Sequence, residues 1–188
     1  MTHRPVREAQ VSDAQGIASC LADIARESPL ALLGGVLLDP SALVGLLGQP
    51  TDRYVILLSD HPARPEGPAA VLILVRGPGP SDHTANVAVG VHASARRSGL
   101  ARQLVVAAAE WAKAQGVSRL TASVVDGNGD SLRLFQALGF HEEGRRVGHI
   151  RLLGEDLDEI LFGIPVDALL SEASNAPGAM AIEGGRLR

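Results

Sequence analysis

Between Thr84 and Val125 the chain passes from a β-branched run, through a loop bearing arginines and a glycine, into a helical repeat and then a second β-branched run. Residues 84–91 (TANVAVGV) and 120–125 (LTASVV) read as strands. Between them Leu100, Leu104, Ala107, Ala108 and Trp111 recur at helical spacing over residues 100–115, and Gly116 is placed to end the helix in a left-handed turn. A strand–helix–strand unit of this length permits a parallel crossover. It also starts the helix directly after the loop, so unpaired N–H groups and the positive end of the helix dipole face whatever the loop holds.

The flanking segments supply the rest of a sheet. Val6 to Ala9 reads as a short strand, and Ser12 begins a helix with Gln15 completing a capping box. Ile17, Cys20, Leu21 and Ile24 form that helix's buried face. Ser28 to Val36, rich in Pro, Gly and Leu, carries no assignment. Asp39-Pro40 reads as N-cap and first-turn proline of a second short helix that stops at Gly48. Tyr54 to Ser59 and Ala69 to Arg76, set off by the turn-rich DHPARPEGP and GPGPSDH, make an antiparallel meander with 84–91. After the crossover come a helix, Ser131 to Leu138, and a closing hairpin, Arg146 to Leu153 with Glu159 to Val166, turning about Gly154-Glu155-Asp156. The expectation is one domain over residues 1–170, an α/β fold with a mixed, mostly antiparallel sheet flanked by helices. From Ser171 the composition turns to Ala, Gly, Ser and Asn, which predicts a loosely ordered tail over 171–188.

Composition narrows the function. A chain of 188 residues with 46% hydrophobic content can bury one core, and 20% charged residues with a net charge of −4 exclude a disordered chain. That mildly acidic balance, with only three Phe, one Trp and one Tyr, argues against nucleic acid as a partner. Cys20 is the single cysteine, so there is no intramolecular disulfide and no cysteine zinc site. MTHRPVREAQ has no apolar signal stretch, and the Gly-interrupted run Leu30 to Leu38 is too short to span a bilayer. A soluble cytoplasmic protein without a membrane partner is expected. Asp126 to Asp130 imitates the start of a calcium loop, but Ser131 and Ala137 stand where Gly and a bidentate Glu are required. His141-Glu142-Glu143 lacks a helix-spaced second histidine, so no metal is expected.

Taken on its residues alone, the loop from His92 to Arg102 reads equally as a solvated basic turn and as a pyrophosphate cradle with Arg96, Arg97 or Arg102 as countercharge. Arg96-Arg97-Ser98-Gly99-Leu100-Ala101, however, resembles the acetyl-CoA-binding signature of the GNAT superfamily of N-acetyltransferases, Arg/Gln-x-x-Gly-x-Gly/Ala. Asn128-Gly129-Asp130-Ser131-Leu132-Arg133-Leu134-Phe135-Gln136-Ala137-Leu138-Gly139-Phe140 resembles that family's Asn-x-x-Ala/Ser-x-x-Leu-Tyr-x-x-x-Gly-Phe pattern. With the flanking elements the resemblance spans residues 5–167.

The resemblance implies a GNAT-type sheet whose fourth and fifth strands, 84–91 and 120–125, splay around the pantetheine arm of acetyl-CoA. The main chain of Val89 and Val91 would face that arm. The backbone of Arg96, Arg97, Ser98, Gly99, Leu100, Ala101 and Arg102 would take the pyrophosphate. Asn128 would bond the arm, with Ser131 and Phe135 nearby, and the Val91 N–H would stabilise the oxyanion. The sequence departs from the family at both usual proton-handling positions. Phe135 replaces a Tyr acid, and Asn86 stands near the carboxylate base, where it would orient a water. Asp82, His83 and His92 are the nearest titratable groups, and His149 on the closing hairpin is placed to line the acceptor cleft. The implied activity is acetyl-CoA-dependent N-acetylation of a small-molecule or amino-acid-like primary amine. A catalytically silent acyl-CoA-binding domain and a protein or peptide acetyltransferase are the competing readings, and a homodimer through the closing hairpin is compatible with each.

Overall fold

The computed structural model describes residues 6–31, 39–49 and 51–175. Seven strands form one sheet: β1 (Arg7–Glu8), β2 (Tyr54–Ser59), β3 (Ala70–Arg76), β4 (Thr84–Val91), β5 (Arg119–Val125), β6 (His141–Leu152) and β7 (Glu155–Pro165). Their spatial order is β1-β2-β3-β4-β5-β7-β6. Only β4 and β5 run parallel; the other neighbours are antiparallel. The helices are α1 (Ala14–Glu27), α2 (Pro40–Leu47), α3 (Leu100–Ala114), α4 (Gly129–Ala137) and α5 (Val166–Asn175). The meander, the crossover and the mixed, mostly antiparallel sheet are as expected.

Burial divides by face. On one side α1 and α2 lay Ile17, Cys20, Leu21, Ile24 and Leu43 over Ile56, Leu58, Val71 and Ile73. On the other, Leu100, Leu104, Ala108 and Trp111 of α3 pack with Leu72, Leu74, Val87, Leu120 and Phe162, joined by Val166 and Leu169 of α5. β2 and β3 are covered on both faces, which is why they read as continuous apolar runs rather than alternating ones. Cys20 is fully buried and burial pushes its thiol up to about 11, so it behaves as a small apolar core residue.

Several local expectations change. The start of α1 is not capped by Ser12 and Gln15. A 3-10 turn, Val11–Asp13, precedes it, and the Asp13 carboxylate accepts the Gln10 N–H at 2.8 Å while Arg7 Nη1 donates to it at 2.7 Å. The Asp39 cap holds: its Oδ1 accepts the Ser41 N–H at 2.9 Å, with Pro40 in the first turn. β6 begins at His141, before the expected Arg146, because two register shifts interrupt its alternation. The hairpin turns on Leu153 and Gly154, both left-handed (φ 53° and 87°), rather than on Gly154-Glu155-Asp156. Helix α5 carries regular structure to Asn175, past the composition change at Ser171; residues 176–188 of the expected tail lie outside the described residues, as does most of the unassigned Ser28 to Val36 segment.

Candidate active site

The parallel pairing of β4 with β5 lasts three residues, Thr84 with Arg119, Ala85 with Leu120 and Asn86 with Thr121. Beyond Asn86 the strands part. The register shows which main-chain groups this leaves unpaired. His92 N–H donates to Ala69 at one end of the β3–β4 ladder and Gly77 N–H to Thr84 at the other, so even-numbered β4 residues bond to β3. The backbone groups of Val87, Val89 and Val91 therefore point away from β3, into the gap. On the facing strand, Asp126 N–H donates to Asp158 and Val166 N–H to Ser118, so the even residues of β5 bond to β7 and Ser123 turns its main chain toward β4. Two half-ladders with no protein strand between them form the walls of a cleft. Its lining includes Val87, Val89, Ser123, Asn128, Phe135 and Glu159.

At the open end of the gap the chain makes a 3-10 turn, Ala93–Ala95, and then the loop into α3. Arg97 (φ 59°) and Gly99 (φ 84°) are both left-handed, and Gly99 is the N-cap of α3 with no side chain capping the helix. The first intrahelical bond is Gln103 N–H to Gly99, so the N–H groups from Gly99 to Arg102 have no helical acceptor. Ser98 is used internally, its hydroxyl donating to the Ala95 carbonyl. The arginines divide by role. Arg96 donates from Nη2 to Glu27 of α1 at 2.9 Å and from Nε to the Val91 carbonyl at 3.2 Å. Its side chain therefore braces the loop against α1 and occupies that carbonyl, while the register leaves the Val91 N–H facing the cleft. Arg97 and Arg102 have no carboxylate partner among the described residues. An uncapped helix start beside two uncommitted cations fits a diphosphate, and the unpaired strand amides fit an arm that itself carries amides.

The remaining expected residues fall in three places. Asn128 N-caps α4, its Oδ1 accepting the Ser131 N–H at 3.2 Å, and its Nδ2 donates to the Leu30 carbonyl at 3.3 Å. Both Asn128 and Ser131 line the cleft. Phe135, 4% exposed, forms the floor, edge-on to Phe140 with ring centres 5.1 Å apart. Asn86 sits where the strands begin to part, exposed, with its Nδ2 3.4 Å from Thr121 Oγ1. Asp82 and His83 are not brought to the cleft. They precede the opposite end of β4, about 30 Å of extended chain from His92. Asp82 lies against Arg76, and the His83 carbonyl accepts the Ser118 N–H. His92 serves the loop's own structure, with Nδ1 2.8 Å from Ser94 Oγ and Nε2 3.8 Å from Asp23.

One cleft residue was not anticipated. Glu159 reads in sequence as an ordinary strand residue, yet the residue is 9% exposed and lines the cleft from β7. The available signal was the acidic residue abutting the apolar run ILFGI, whose strand has no second polar face to spare once both its neighbours are paired. Among the described residues, no three metal-ligating side chains converge, and no helix is long and apolar enough to cross a membrane.

Comparisons with known proteins place this geometry. Residues 30–140 match the model of the Acetyltransferase (GNAT) family. A stretch of 60 residues, 32% of this chain, is 47% identical to an aminoglycoside N(6')-acetyltransferase type 1 of Serratia marcescens; the match spans 41% of that protein's length. Among solved structures, an acetyltransferase of the GNAT family from Streptococcus pneumoniae superposes with a TM-score of 0.76 at 24% identity, covering 85% of this chain and 98% of that one. The structure of yncA from Salmonella typhimurium with its cofactor acetyl-CoA gives 0.75 at 20% identity, covering 89% and 95%. A ribosomal-protein-alanine N-acetyltransferase from Brucella melitensis gives 0.75 at 22%, covering 86% and 99%. At these identities the structural likeness is one of fold.

Proposed function

The chain belongs to the acetyltransferase (GNAT) family, and from that premise we propose that it transfers an acetyl group from acetyl-CoA to the primary amine of a small molecule by direct attack. The observation that carries the reading is the conjunction of the parted β4 and β5 with the uncapped, left-handed entry to α3. The loop N–H groups with Arg97 and Arg102 hold the diphosphate, and the main chain of Val87, Val89 and Ser123 brackets the arm. When bound, acetyl-CoA supplies an acetyl group activated as a thioester. The Val91 N–H, which the β3–β4 register leaves unpaired with β3, is aimed to stabilise the oxyanion. Holding the amine against this frame is the larger part of the acceleration. Phe135 has no proton to give the departing thiolate, and a thiol of this type, with a pKa of about 8.5, leaves without one at modest cost.

A small-molecule acceptor is supported by the aminoglycoside acetyltransferase relative and by the apolar wall that Leu30 and Ala31 give the cleft. The test is release of free CoA by the purified protein from acetyl-CoA across a panel of amines, with CoA affinity measured in parallel by calorimetry. Turnover with at least one small amine is expected. Tight CoA binding with silent chemistry across the panel, or turnover on peptides alone, would overturn the proposal.

A further inference from the structure

Glu159 stands directly across from Val125 in the β5–β7 ladder, on the cleft wall. Both of its ionic contacts fall on one oxygen. Arg146 Nη1 donates to Oε2 at 2.8 Å, and His149 Nε2 lies 3.6 Å from the same atom. Oε1 has no partner among the described residues. Holding a largely buried carboxylate on the cleft wall is costly, and an apolar residue opposite Val125 would satisfy the sheet without that cost. Oε1 is not among the enclosed unpaired atoms, so it stays reachable. An ion pair serving stability alone would also have no need of the cleft, because Arg146 and His149 are each about half exposed and reachable from solvent. The charged groups facing Glu159 are these two, both on β6. β5 presents Val125 beside it, and Leu30, Ala31, Asn128 and Ser131 make up the nearby lining.

We propose that Glu159 receives the acceptor's ammonium and takes its proton on Oε1, from which the proton is lost to solvent, an inference that rests on the acetyltransferase reading. The carboxylate that β4 lacks at Asn86 is thus supplied across the cleft by β7. An ammonium N–H bond breaks as an O–H bond forms on Glu159, and the freed lone pair forms the C–N bond as the C–S bond of the thioester breaks. The sulfur departs as the thiolate, the acylated nitrogen loses its second proton to solvent, and the proton on Glu159 likewise returns to solvent. The acceptors selected are amines that arrive charged.

The test uses the full chain, acetyl-CoA, and three probes, kanamycin, spermidine and phenethylamine. With a probe that the wild type acetylates, Glu159→Gln should lower kcat at least about 100-fold at neutral pH. Its CoA affinity by calorimetry and its Tm should match the wild type, and Glu159→Asp should recover part of the rate. Raising the pH toward the amine's own pKa lets solvent deliver neutral amine, so the gap between wild type and Glu159→Gln should narrow. A purely structural role would leave that ratio flat. Equal kcat in the two proteins, or a loss of the same factor at neutral and alkaline pH, overturns the inference while leaving the acetyltransferase reading intact. No turnover of any probe by the wild type overturns both.

Discussion

Gly99 and Arg97 show how differently two residues in the same backbone region are used. Both have positive φ, and nothing lies within 4 Å of where a Gly99 Cβ would sit. Protein packing therefore does not demand glycine there; the backbone conformation does, and on the proposed reading so does the approach of a diphosphate to the bare main chain. Gly99→Ala should lower the free energy of unfolding by about 1 kcal/mol, read from urea titrations, as an L-residue is forced into the left-handed region. It should also weaken CoA binding by more than about tenfold in calorimetry. A stability loss with unchanged CoA affinity would detach the helix start from cofactor binding. The glycine was legible in the sequence because its requirement is local. The division of labour among the arginines was not, since Arg96 is claimed by Glu27, 69 positions away. Glu159 was hidden for the same reason: only the pairing of β7 between β5 and β6 turns an ordinary acidic strand residue into a cleft wall.

Elements were legible where one periodicity held along their length. β2 and β4 match their expected ends because apolar runs are bounded by Pro and Gly turns, and α3 ends within a residue of its forecast. β6 failed that condition. It is an outer edge strand with bulges, so its side chains are mostly exposed and its alternation is broken. Its junction with β7 carries a visible mismatch between residue and conformation. A two-residue turn with both residues left-handed favours Asn-Gly, and here Leu153, 89% exposed, takes the first place. Leu153 gains nothing from burial to offset its backbone cost. Leu153→Asn should therefore raise stability by about 0.5–1 kcal/mol in urea unfolding, with acetyl-transfer rate unchanged. A neutral or destabilising result would mean that the hairpin tip tolerates the left-handed leucine at no cost.

At the scale of the molecule, α1 is fastened to the sheet side of the fold by charge as well as by its apolar face. Arg7 of β1 holds Asp13 at its beginning, and buried Arg64, 2% exposed, holds Asp23 near its end at 3.2 Å. Arg64 also donates to Ser19 and to the Pro68 carbonyl, so one guanidinium ties the helix to the 61–68 loop. The hydrogen bond from Arg7 is the main cause holding Asp13 below the usual carboxylate range, and that from Arg64 does the same for Asp23. A carboxylate depressed in the folded state contributes stability above its unfolded pKa, about 3.9, and that contribution is lost as the pH falls through the folded value. The urea midpoint should thus be level near neutrality and drop steadily below about pH 4. Asp13→Asn should lower the midpoint at neutral pH and flatten the acid limb, because the variant has already lost what acid removes. The helix that loosens is the one whose Glu27 holds Arg96, so CoA affinity should decline along with the midpoint in Asp13→Asn if α1 braces the loop. Affinity that stays constant while the midpoint falls would show that the loop keeps its shape without the helix.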